Sequence, residues 1–203
     1  MHEYYLLHST SLEAAKSILH HGCLSTLPPK KFVRGELKLK ALYATIVFGS
    51  IAQCTGKLDL WLSRVVFEID RSALRTVPFK VALGFGGVKN DARVVMSNDG
   101  NSPSRTPSLR RVERAVLETC RDIKKKRVPF DPYTYSHELA FSKDVSLEFV
   151  RRIFVYSEED AAAVQKLAPA DIPILILKLS ANGSRLRVPD LLKSLRDATP
   201  QRG

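Results

Sequence analysis

Three short stretches hold the residue types that could do chemistry. Leu7-His8-Ser9-Thr10 puts an imidazole and two hydroxyls where an apolar run gives way to a helix. Leu42-Tyr43-Ala44-Thr45 carries a tyrosine on a short apolar segment, and Ser136-His137-Glu138-Leu139-Ala140-Phe141 opens an apolar strand with a carboxylate. Each also has a plain structural reading: His8 as a capping-region histidine, Tyr43 as packing, Glu138 as a solvated strand end. The functional reading of the first is a ligand held at the strand end, where hydroxyls and backbone N–H groups at a helix start can meet polar groups.

Other common constellations are missing. The chain has no GxSxG elbow, no HExxH and no Walker GxxxxGK[ST]; Gly84-Phe-Gly-Gly fits a turn between strands. Cys23, Cys54 and Cys120 form no CxxC pair, so neither a zinc site nor a disulfide framework is expected, and a reducing compartment is.

The elements that must position these residues follow from periodicity and punctuation. Glu3 to His8 reads as a buried strand. Thr10 with Glu13 matches a capping box, Leu12, Ala15, Ile18 and Leu19 share a helical face, and Gly22 sits where the helix should end. Residues 24–40, with Pro28-Pro29 and several Lys and Arg, read as a loop. Ala41 to Ile46 is a second strand, with a helix expected from Phe48 toward Gly56. Further strands are expected at Trp61–Asp70, in VPFKVAL and ARVVM, and at His137–Ser142, Val150–Tyr156 and Ile172–Leu179. Residues 98–108 read as a flexible loop, Leu109 to Arg127 as a helix, and SEEDAAAVQKL as a helix capped by Ser157. Strands outnumber helices without regular alternation, so the fold class is α+β with mostly antiparallel or mixed sheets. The 203 residues suit one catalytic-sized domain, taken here as 1–203. No apolar run reaches the ~18 residues of a membrane span, and no Sec-type signal peptide is visible.

Taken together, LLHSTSLEAAKSILHHG, LYAT and HELAF followed by VSLEFVRRIFVY resemble the ADP-ribosyltransferases, and more narrowly the diphtheria-toxin-like branch with a His–Tyr–Glu triad. The resemblance covers residues 4–56 and 133–156. His8 is followed by serine where that family more usually has glycine, and the YAT strand lacks a second aromatic. The resemblance implies a split pair of mostly antiparallel sheets flanked by helices, with NAD as co-substrate and no metal. It implies a catalytic set of Glu138, Tyr43 and His8. Glu138 would bond the 2′-hydroxyl of the nicotinamide ribose, Tyr43 would stack on the nicotinamide, and His8 would bind the adenosine-side ribose. Ser9, Thr10 and Ala44 complete the implied NAD-binding set. In that family the loop ahead of the glutamate tends to touch the target, which singles out Phe130, Tyr133 and Tyr135; the alternative is aromatic packing of the loop onto the sheet.

The formal charge of +11 asks for an acidic partner without naming it. Basic residues gather at Lys30-Lys31, Arg34 with Lys38 and Lys40, Arg105 to Arg114, Lys124 to Arg127, and Arg151-Arg152. The leading expectation is a mono-ADP-ribosyltransferase acting on a protein, as a toxin or effector. It would work in the cytoplasm or be delivered into another cell without a Sec-type signal. The alternative acceptor is DNA or RNA, and a further alternative is a non-catalytic basic nucleic-acid-binding module. An RNA 2′-phosphotransferase, related by resemblance, ranks low because its arginine set does not map onto this chain.

Overall fold

β1 (Tyr4–Thr10) is buried from Tyr5 to His8, so it reads as an unbroken apolar run, the pattern of a strand covered on both faces. The computed structural model describes residues 4–26, 41–49, 59–83, 93–98, 137–177 and 185–197, together with Arg114, Leu117, Glu118, Arg121, Asp122 and Lys125. In chain order β1 is followed by α1 (Leu12–His21), β2 (Cys23–Leu24), β3 (Leu42–Phe48), β4 (Asp59–Trp61), β5 (Val65–Ile69), α2 (Ala73–Thr76), β6 (Phe79–Leu83) and β7 (Arg93–Asn98). After these come β8 (Glu138–Phe141), β9 (Val145–Ser146), β10 (Val150–Val155), α3 (Glu158–Gln165), β11 (Ile174–Ile176), β12 (Arg185–Arg187) and α4 (Val188–Asp197).

Eight of these strands form one sheet in the order β11-β10-β5-β1-β3-β8-β6-β7, and the pairs β12-β4 and β2-β9 form two small ribbons. Within the large sheet only β10 and β11 run parallel, and α3 is the helix that joins them. All other neighbours there are antiparallel. This is the α+β class the sequence implies. The residues that fill one side of the sheet are apolar and buried: Phe67 on β5, Leu6 on β1, Ile46 on β3, Leu139 and Phe141 on β8, and Phe79 and Val81 on β6.

Several boundaries differ from expectation. Thr10 does not cap α1: it is still paired with Val65, and Ser11 is the first residue to leave the sheet. The Ala14 amide donates to Ser11 Oγ (3.2 Å), so position 14, an alanine, sits where the acid of a capping box would be. Gly22 ends the helix as expected, in the left-handed region (φ 75°), its amide donating to the Ile18 carbonyl (3.0 Å). Phe48 closes β3 rather than opening a helix, its ring near those of Tyr4 and His137, and residues 50–56 of that expected helix lie outside the described residues. The expected single strand Trp61–Asp70 is two, interrupted at residues 62–64. There Arg64 turns outward and forms a bidentate pair with the buried Asp160 carboxylate (3.0 and 2.7 Å). Ser157 caps α3 as expected, accepting from the Asp160 amide (3.1 Å). Arg152, grouped above with surface basic residues, is instead buried and paired with Glu68. α4 had no expectation at all, although Val188, Leu191, Leu192 and Leu195 are buried at helical spacing. Asn98 belongs to β7, whereas the rest of the expected loop at 98–108 and the glycine-rich stretch at 84–87 lie outside the described residues. Of the expected helix at 109–127, the described residues Arg114, Leu117, Glu118, Arg121 and Asp122 are helical.

Candidate functional site

β1, β3 and β8, which carry His8, Tyr43 and Glu138, are consecutive in the sheet. The β1–β3 ladder runs from Tyr4↔Phe48 to Leu7↔Thr45. Past that pair each strand continues on its other neighbour, β1 on β5 as far as Thr10↔Val65 and β3 on β8 as far as Leu42↔Phe141. The expected split between two sheets therefore begins at Leu7 and Thr45, inside a sheet that is continuous up to that point. At the split a side chain takes over from the ladder. His8 Nδ1 donates to the Tyr43 carbonyl oxygen at 2.8 Å. Because a carbonyl can only accept, the proton of a neutral His8 ring is placed on Nδ1, and Nε2 becomes its acceptor nitrogen.

Register fixes the sides. Leu7, Thr45 and Glu138 lie opposite one another across β1, β3 and β8, so their side chains share one face, and Tyr43, two residues before Thr45, shares it too. Alternation turns His8 to the other face, where its ring lies 6.4 Å from that of Phe67. Two strand spacings, about 10 Å, separate the backbone of His8 from that of Glu138. His8 and Tyr43 thus flank the split, and Glu138 lies one strand beyond, on the face that Tyr43 shares. Thr45 and Glu138 are half-buried, so solvent meets this face there, while Tyr43 is mostly covered.

Glu138 is held in place by the residue before it. His137 is fully buried with its ring 6.4 Å from that of Phe48, and its carbonyl accepts from the Ile46 amide (2.8 Å). Desolvation lowers the His137 pKa from 6.5 to about 3, so the ring is neutral under physiological conditions. One residue thus pins the strand into the core, and the next, half-buried, lies on the Thr45 face of the sheet.

Ser9 and Thr10, expected as NAD-side donors, are half-buried on β1 opposite Val66 and Val65. Ala44 is buried and pairs with Leu139. Phe130, Tyr133 and Tyr135 lie outside the described residues. Sequence reasoning missed Thr45, the residue that faces Glu138, and it missed a buried ion pair in the same row of the sheet. Leu7 is opposite Glu68 on β5, and Glu68 is opposite Arg152 on β10. Arg152 Nε donates to the Glu68 carboxylate, Arg151 approaches that carboxylate to 3.8 Å, and the Arg152 guanidinium lies 5.1 Å from the centre of the Phe154 ring. The only signal in the sequence was an acid in the apolar run VVFEI. Among the described residues no three His, Cys, Asp or Glu side chains come together as metal ligands would.

No model of a known protein family matches the chain, and no curated protein matches it in sequence. Solved structures do. DarT from Thermus sp. 2.9 in complex with carba-NAD+ is 15% identical, over 85% of this chain and 94% of that one, with a TM-score of 0.49. The same Thermus protein in complex with ADP-ribosylated ssDNA is 14% identical over 85% and 93%, also at 0.49. DarTG from Thermosipho africanus in complex with ADP-ribose is 11% identical over 87% of this chain and 50% of that one, at 0.45. Likenesses this distant leave the functional reading to the residues of this chain.

Proposed function

We propose that this protein is an NAD-dependent ADP-ribosyltransferase whose acceptor is a nucleic acid. The observation that supports the reading is that three segments far apart in sequence bring His8, Tyr43 and Glu138 onto three consecutive strands, with Tyr43 and Glu138 on one face and the His8 ring bonded to the Tyr43 carbonyl. These are the residue types the reaction needs. The bond to be broken joins nicotinamide nitrogen to ribose C1′; the electron pair leaves with nicotinamide, and positive charge develops on the ribose. Glu138, accepting a hydrogen bond from the ribose 2′-hydroxyl, stabilises that charge as carboxylates do in glycoside cleavage. The Tyr43 ring offers an aromatic face to the cationic pyridinium. His8 Nε2 accepts from a hydroxyl of the adenosine-side ribose, with Nδ1 already committed to the Tyr43 carbonyl. The acceptor's nucleophilic atom then bonds to C1′, and its proton passes to solvent.

A nucleic-acid acceptor suits the net charge of +11, since phosphate neutralisation supplies most non-specific affinity for DNA and RNA. It replaces the protein acceptor expected from the resemblance. The chain then reads as a toxin acting on nucleic acid in the cytoplasm of the cell that makes it or of one that it enters.

The test measures nicotinamide release and transfer of labelled ADP-ribose to single-stranded oligonucleotides, wild type beside Glu138→Gln. Loss of one charge that stabilises the transition state should lower the rate by about two to three orders of magnitude while circular dichroism stays unchanged. Equal rates in the two proteins would sink the proposal.

A further inference from the structure

Glu138 has a second flank, and the residue that stands there is Lys80. β8 is paired on one side with β3 and on the other with β6. Ala140 is opposite Tyr43 on β3 and opposite Lys80 on β6, so Tyr43, Ala140 and Lys80 form one row, two residues along from Glu138 and on its face. Tyr43 and Lys80 are therefore the two diagonal neighbours of Glu138, one on each side, each about 7–8 Å from it by the geometry of antiparallel pairs. The residue between them is alanine, which raises no barrier over the strand. Lys80 is exposed, whereas Phe79 and Val81 on either side of it point into the core, so the strand's alternation holds its ammonium on the Glu138 face.

We infer that Lys80 binds a backbone phosphate of the nucleic-acid acceptor and seats it against the reacting ribose. This rests on the transferase reading above and deepens it. In that reading the β1–β3 side of Glu138, with His8 and Tyr43, is occupied by NAD. The acceptor's nucleophile attacks C1′ from the side opposite the departing nicotinamide, and the flank left to it is β6. A strand with its one exposed cation aimed at that flank gives an anionic acceptor a contact that a neutral one would not use.

The experiment measures binding of a fluorescent single-stranded oligonucleotide by anisotropy across a salt series, for wild type, Lys80→Ala, Lys80→Arg and Lys166→Ala. Lys166 is an exposed lysine just after α3, at the β10–β11 edge of the sheet, far from β6. Removing one phosphate contact should weaken binding by about fivefold to tenfold at low salt and reduce the slope of log K against log salt by about 0.7. Lys80→Arg should keep most of the affinity, and Lys166→Ala should cost less than Lys80→Ala. Equal losses in Lys80→Ala and Lys166→Ala would reduce the effect to general attraction and overturn the inference. Weaker NAD binding in Lys80→Ala, with oligonucleotide binding intact, would assign the lysine to the NAD diphosphate and overturn it as well. The two failures are separable. A wild type that releases no nicotinamide sinks the transferase reading, while one that labels DNA but is indifferent to Lys80 sinks only this inference.

Discussion

Replacing His137 should change how the protein responds to acid more than it changes stability at neutral pH. The ring is fully buried beside Phe48, and its pKa falls from 6.5 to about 3. Above pH 6.5 both folded and unfolded chains hold it neutral. As pH drops below that value the unfolded chain takes up a proton that the folded chain refuses, so stability falls with falling pH and levels off near the folded pKa. A ring held neutral down to about pH 3 corresponds to about 5 kcal/mol in full, of which about 2 kcal/mol is expressed by pH 5. Chemical denaturation of wild type and His137→Leu at about pH 7.5 and about pH 5 isolates the effect, because the packing change in the variant is the same at both. The wild type should lose about 2 kcal/mol more than the variant between the two conditions. Parallel losses would refute the argument, and would mean that the buried ring is charged or that the unfolded chain does not titrate it normally.

Two further outcomes follow from the sheet. Glu68→Gln should destabilise by about 3–5 kcal/mol, because it leaves the buried Arg152 guanidinium without its countercharge, and a paired Glu68→Leu, Arg152→Met change should recover most of the loss in thermal denaturation. Ser11→Ala should cost about 1 kcal/mol through loss of the α1 cap, whereas Thr10→Val, at a residue paired in β1, should cost less in the same measurement; the reverse order would restore Thr10 as the cap.

The strands that build the site were legible because they are buried on both faces and therefore rich in large apolar residues: YYLL, LYAT, VVFEI and RIFV. Their adjacency was not. Nothing local in LYAT or HELAF says that Thr45 faces Glu138, since register is set by the turns and cores between them. The cap of α1 was misplaced by one residue for the same reason. Thr10 and Ser11 are both able caps, and the pairing of Thr10 with Val65 decides between them. Arg151-Arg152 looked like surface charge, yet alternation sends one outward and the other in, and the partner that makes this tolerable lies 84 positions earlier. Lys80 drew no notice in the sequence because its meaning comes wholly from the strand beside it.

β1 has its neighbours on both sides far downstream, and β8, which completes the row, begins only at Glu138. Pairings that close such long loops are slow to form, and a chain emerging from its N-terminus must hold an apolar strand with open edges until they do. The same order of events is protective. Under the proposed function, a product broken off ahead of β8 carries His8 and Tyr43 without the carboxylate of Glu138 and should be inactive. Under the proposed function, the cell is exposed to the activity only once nearly the whole sheet has closed.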